Sequence, residues 1–248
     1  MSSATVYAGG GEDSYAGGVA GQITAQESTG SPCLVTRSCA TGDVMAEGGK
    51  MQNNAGGIAG QIFRGTVSAC WASGNISAAG SPVYLSAVGG LVGGCYEEGI
   101  IENCFSTGLV SATDDFTFSY GGFVGRLGGL VTNSYSTGRV EITTSNGNVY
   151  SDNVIVGSGR SDGHVVSCFD LMDNTRGYPI YVNQEQGQQD VMERISITEA
   201  KNRRIYTDKG WDFDEIWKIS GNGYSLPVLK GVHEEIQARL SMPKHLSS

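Results

Sequence analysis

The sequence lacks any run of about 18 apolar residues, so no part of it reads as a membrane-crossing helix. It also lacks a cluster of Lys and Arg. With a formal charge of −9 and a pI near 4.8, it argues against nucleic acid or an anionic membrane surface as partner. Only 17% of residues are charged, and the helix formers Lys, Glu and Gln are scarce through most of the chain, which disfavours a helical architecture. No Cys-x-x-Cys spacing occurs and His164, His233 and His245 are dispersed, so a zinc site is not expected. The calcium-binding GGxGxD nonapeptide is missing too. The opening stretch MSSATVYAGGGED has neither the basic nor the apolar region of a secretion signal.

Glycine, by contrast, is abundant at 38 of 248 residues, and it alternates with Val, Ile, Leu and aromatics in short blocks, unlike a disordered linker. The blocks repeat. GGVAGQI begins at Gly17, GGIAGQI at Gly56, GGLVGGC at Gly89 and GGFVGRL at Gly121, with a degraded copy, NVIVGSG, from Asn153. A second block follows each: CLVTRSCATGDV from Cys33, GTVSACWASGNI from Gly65, GIIENCFSTGLV from Gly99, GLVTNSYSTGRV from Gly129 and GHVVSCFDL from Gly163. Ungapped alignment puts Val35, Val67, Ile101, Val131 and Val165 at one position and Ser38, Cys70, Cys104, Ser134 and Cys168 at another. A third position holds Trp71, Phe105, Tyr135 and Phe169, with Cys39 in the first copy; a fourth holds Gly42, Gly74, Gly108 and Gly138.

Two β-type blocks per roughly 32 residues, separated by Gly turns and a variable loop, fit one coil of a parallel β-solenoid whose coils stack about 4.8 Å apart. A propeller blade needs about 40 residues and four strands, and a sandwich would not keep this register. The expected fold is therefore all-β, a parallel solenoid of about five coils. The Val/Ile ladder should line its interior. The Gly ladder should mark bends where a side chain clashes or φ is positive.

GGxxG followed by hydrophobic-x-Asn-Cys-aromatic-x-Ser/Thr-Gly resembles the GLUG-motif repeat family over Gly17 to Leu171, most clearly in GGLVGGCYEEGIIENCFSTGLV. The resemblance implies a repeat of large bacterial surface proteins, including adhesins and regions flanking immunoglobulin A proteases, and it brings no catalytic residues with it. The first copy departs by the insertion ITAQESTGSP and the fifth by Asn153 and Val154 in place of the Gly pair, as terminal repeats often do. The chain begins almost inside a repeat, which reads as part of a longer surface polypeptide.

From Asp173 the repeat is gone, and five of the six Lys follow residue 200. Ser196 and Glu199 form a capping-box pattern and predict a short helix over 196–206. Trp211, Phe213, Trp217, Ile219, Tyr224 and Leu226 then surround a Gly-Asn-Gly turn, two strands' worth of bulky residues. The sequence thus divides into a solenoid over 1–172, a small α+β cap over 173–231 that closes the open end, and a tail over 232–248, helical or frayed.

Candidate chemistry is sparse. Cys70 and Cys104 stack at bonding distance, but parallel side chains disfavour the disulfide dihedral, so free thiols acting as small hydrophobes are expected. The acidic pairs Glu97-Glu98 and Asp114-Asp115 suit a calcium site or acid–base work in principle, although most such pairs are solvated. Arg37, Arg64, Arg126, Arg139 and Arg160 share no repeat position, unlike the basic face of a β-helical polysaccharide lyase. Thr41, Ser73, Thr107 and Thr137 form a hydroxyl ladder that reads either as an ice- or sugar-binding array or as turn hydroxyls. The aromatic ladder reads either as core or as a carbohydrate-stacking row.

The expected function is a non-enzymatic adhesion module of an extracellular or cell-surface bacterial protein, engaging host or cell-surface protein or glycan. No cofactor, metal or catalytic residue is assigned. A structural stalk and a carbohydrate-active enzyme are the alternatives. An adhesion surface is expected on the loops Ala25 to Pro32, Ser77 to Ser86 and Ser111 to Tyr120.

Overall fold

The computed structural model describes residues 4–25, 33–79, 84, 86–113, 118–143, 149–152, 155–171, 181–182, 190–219 and 225–240. The repeats lay down five short strands each, which pair in parallel with their counterparts one repeat later and give five faces of a parallel β-solenoid; on the fifth face Val140–Thr143 pairs instead, antiparallel, with Val149–Asp152. In the second repeat these strands are Gln52–Gly56, Ala59–Phe63, Gly65–Ser68, Trp71–Ala72 and Ile76–Ala79, on the first to fifth faces respectively. Four coils carry all five strands. A fifth carries Val156–Gly159, His164–Val166 and Phe169–Leu171 among the described residues, somewhat fewer coils than the five repeats suggest. That fifth repeat is the one whose sequence has no Gly pair.

The register is the one the repeats imply. Val35, Val67, Ile101, Val131 and Val165 pair in succession along the third face, and the last four are buried. They join Ile58, Ile62, Leu91, Phe123, Val124, Leu127 and Ile155 in one interior core. A second interior core, of Val44, Ala46, Ala55, Ile76, Val88, Val110 and Val140, fills the space between the first and fifth faces.

Of the two roles open to the motif glycines, the structure selects close approach. A Cβ at Gly93 would lie 2.4 Å from the Gly60 carbonyl oxygen and 2.7 Å from that of Ala87, too near for any side chain. Among the described residues, positive φ in glycine occurs at Gly10, Gly11, Gly48, Gly210 and Gly231, none of them a repeat position.

The left-handed conformation falls instead on the residue that follows each third-face strand: Arg37, Ala69, Asn103, Asn133 and Ser167, all with φ between 48° and 53°. Asn is the side chain that best tolerates this region, which explains the Asn of the motif. The bend interrupts the backbone ladder, and the next side chain repairs it. Ser38, Cys70, Cys104, Ser134 and Cys168 each donate to the carbonyl two residues back, at 2.9, 3.2, 3.1, 2.8 and 3.2 Å. The same atoms accept backbone N–H groups from the preceding coil: Ser38 N–H to Cys70 Sγ, Cys70 N–H to Cys104 Sγ and Cys104 N–H to Ser134 Oγ, at 3.4, 3.3 and 3.0 Å. All six cysteines are free, and those at this position, expected as small hydrophobes, are hydrogen-bonding elements as well. Burial pushes the Cys168 thiol up to about 12, so it stays a donor.

Strand alternation sends Cys70 and Ala72 into the interior and Trp71 between them outward. Trp71, Phe105, Tyr135 and Phe169 therefore line the outside of the fourth face, and the C-terminal segment covers them. Its strand Glu193–Ile195 continues that face beyond the last coil, pairing Arg194 with Asp170. From Tyr206 on the segment lies along the face, while Tyr181–Val182 and Asp190–Val191, paired antiparallel, sit beside the Val156–Gly159 and His164–Val166 strands of the last coil. Tyr206, Trp211, Phe213, Trp217, Leu226 and Leu229 pack on the ladder in a third core. Trp211 Nε1 donates to the Ser167 carbonyl at 2.8 Å, Trp217 Nε1 to Asn103 Oδ1 at 3.4 Å, and Arg37 Nη1 to the Lys230 carbonyl at 3.2 Å. All three anchors are at the left-handed bends.

The helix expected over 196–206 is broken in two. The Ser196–Glu199 capping box forms in both directions, at 3.1 and 2.8 Å, ahead of a 3-10 turn at Glu199–Lys201. Asn202 is extended and caps a separate helix, α1 (Arg203–Thr207), through its side chain. Trp217–Lys218 and Val228–Leu229 form the expected strand pair; the Gly-Asn-Gly turn, within 220–224, lies outside the described residues. The tail forms helix α2 (Glu234–Leu240), whose Ile236 and Leu240 pack on the same core as the cap.

Candidate functional site: a groove on the third face

On the outside of the third face, Leu34, Thr66, Ile100, Leu130 and His164 fall in one register. The corners that lead into these strands differ in length, and that difference makes a groove. The second coil turns through Arg64 alone, at φ 58°. The third uses a tight turn closed by Gly99 N–H to the Tyr96 carbonyl, with Glu97 and Glu98 both left-handed at φ 40° and 57°. The fourth is Gly128-Gly129, with no side chain to fill space, and the fifth is the longer Arg160–Gly163 turn. Across these unequal corners runs a groove of about 480 Å³ lined by Arg64, Glu97, Glu98, Ile100, Leu130, Asp162 and His164.

Most of the charge here is already committed. Arg64 pairs with Glu97 across two coils, and Arg160 pairs with Asp162 at 3.2 Å within one corner. Glu98 is exposed and is the carboxylate of the groove with no partner among the described residues. Two consecutive glutamates in the left-handed region cost on the order of 1 kcal/mol each, and such strain concentrates at sites with a task.

The other residues singled out from sequence are placed elsewhere. The aromatic ladder is fully buried, Trp71 and Phe105 stacking at 5.7 Å and Phe105 and Tyr135 at 4.9 Å between ring centroids. It is core, as the apolar reading required, though of the cap interface rather than of the coil interior. Ser73, Thr107 and Thr137 are buried as well, so the hydroxyl ladder offers no outward array; Thr107 and Thr137 Oγ1 have no hydrogen-bond partner among the described residues, so they do not serve the turn either. Of the five arginines, Arg64 lines the groove, Arg160 pairs with its Asp162, Arg37 holds the cap, Arg126 lies over the Tyr96 ring and Arg139 faces Glu141. Asp114-Asp115, His245 and most of the three long loops lie outside the described residues. Among those described, no group of His, Cys, Asp and Glu is arranged to hold a metal, and no helix is long and apolar enough to cross a membrane. The groove itself escaped the sequence reading, and only the contrast of Glu-Glu-Gly with Gly-Gly at one corner signalled it.

Comparison with known proteins fits this architecture. No curated protein matches the chain in sequence. A solved structure from Bacteroides ovatus, described as a candidate immunoglobulin A1 protease, is similar with a TM-score of 0.57 and 17% identity, over 92% of this chain and 74% of that one. At that identity the likeness is one of fold. The GLUG motif matches residues 84–113 and 117–142, the third and fourth coils, which carry Glu97, Glu98, Ile100 and Leu130 of the groove. The chain therefore carries GLUG-motif repeats, wound as a parallel β-solenoid.

Proposed function

We propose that this chain is a non-catalytic binding module of a bacterial cell-surface or secreted protein, engaging a host or cell-surface protein or glycan through the third-face groove. The observation that carries the reading is the groove: an apolar floor of Ile100 and Leu130 between charged corners, on a rigid β-surface. Two of its carboxylates, Glu97 and Asp162, are held by arginines, which suits holding a ligand more than moving a proton. The GLUG repeats support the surface or secreted setting by resemblance.

The test is a glycan and extracellular-matrix protein array probed with the purified chain and with its Glu98→Lys and Leu130→Asp variants. Saturable binding lost in the variants is the expected result. Binding that is indifferent to both substitutions, or absent throughout, would overturn the groove as the binding site.

A further inference from the structure

We infer that the groove takes a polypeptide segment that presents an aliphatic side chain with a Lys or Arg close beside it in sequence. This rests on the binding reading above and names its ligand class.

The floor decides the apolar half. Ile100 and Leu130 are paired neighbours on adjacent rungs, both half-buried, and Gly99 and Gly129 beside them contribute only backbone to the groove lining. Adjacent rungs lie about 4.8 Å apart, so the two residues make a floor the size of one or two aliphatic groups. The rim decides the polar half. Arg64 and Arg160 are engaged by Glu97 and Asp162, and Glu98 is left with its charge uncompensated on a chain of net charge −9. An incoming cation meets that carboxylate at the groove edge, whereas an anion would meet three carboxylates. The turn also holds the Glu98 backbone in a left-handed conformation, which sets the direction of its Cα–Cβ bond.

Glycan is disfavoured on the same ground. A carbohydrate site stacks sugar faces on exposed aromatic rings, and the chain's aromatic ladder is spent beneath the cap. Among the described residues the exposed large aromatics are Tyr7 and Tyr84, and neither lines the groove.

A displayed library of random dodecapeptides, panned on the full chain and counter-selected on the Glu98→Lys variant, tests this. Enriched clones should share an aliphatic residue next to Lys or Arg. A synthetic peptide of that consensus should bind about tenfold more weakly to Glu98→Lys, and weaken similarly when its own basic residue is changed to Glu. Far-UV circular dichroism confirms that the exposed Glu98 substitution leaves the fold intact, and Leu130→Asp tests the floor separately. Clones of any other composition, or a consensus that binds both variants equally, would overturn the inference. A groove-dependent glycan hit without peptide enrichment would overturn the inference and leave the binding module standing. No ligand in either assay would remove both.

Discussion

Trp217→Ala tests whether cap and solenoid share one core. The Trp217 side chain is fully buried, with ring centroids 4.6 Å from Trp211, 6.1 Å from Tyr135 and 6.5 Å from Phe105, so it bridges cap and solenoid. Truncating a buried Trp to Ala costs about 3–5 kcal/mol, and the long Nε1 contact to Asn103 adds little. Against a total stability on the order of 10 kcal/mol, that is a large share. With a urea m-value of about 3 kcal/mol/M, the midpoint should fall by roughly 1 M or more. The assay is built into the sequence, because Trp71, Trp211 and Trp217 are its three tryptophans and all belong to the cap interface. Fluorescence therefore reports that interface, and far-UV circular dichroism reports the strands. In the wild type the two should give one coincident transition; in Trp217→Ala both should move together. A midpoint shift under about 0.3 M, or fluorescence loss well before strand loss in the wild type, would show the segment to be an appendage and refute the shared core.

Asp170 should give the chain an unusual pH dependence. Burial pushes its carboxyl up to about 6, and the Arg194 guanidinium at 2.7 Å only partly opposes this. The folded state then binds the proton more tightly than the unfolded chain does, so this residue's contribution to stability falls as pH rises from about 4 to about 6. Asp170→Asn should gain on the wild type across that window by on the order of 2–3 kcal/mol in urea titrations, and equal slopes for the two proteins would contradict the shift. At the left-handed bend, Cys104→Ser should cost less than about 1 kcal/mol, since Ser134 performs the same bonding one coil later at 3.0 and 2.8 Å. Cys104→Val leaves the Cys70 N–H without its acceptor and should cost about 1–3 kcal/mol more; equal Tm values for the two variants would show that the thiol only fills space.

Much of the solenoid was legible because a parallel stack repeats its constraints. Each coil places Val67, Ile101, Val131 and Val165 in the same environment, so the period shows in the residues themselves. The Gly pairs were visible too, although only the coordinates separate close approach from positive φ, since both demand the same residue. The bend at Asn103 and Asn133 was less legible, because Arg37, Ala69 and Ser167 occupy the same conformation without an Asn. The groove was almost hidden: it arises from unequal corner lengths in consecutive coils, and a repeat alignment treats such differences as noise.

The repeats alone were enough to specify a parallel β-solenoid, carrying GLUG motifs over 84–113 and 117–142, with a bulky C-terminal segment, because stacking forces equivalent residues into ladders. Tertiary structure alone decided where that segment goes. Aromatic residues one position apart from interior ones point outward by strand alternation, and four of them in register make an apolar stripe that water cannot be left to cover. The cap is laid along that stripe, leaving the opposite charge-rimmed corner of the third face as the surface free to bind.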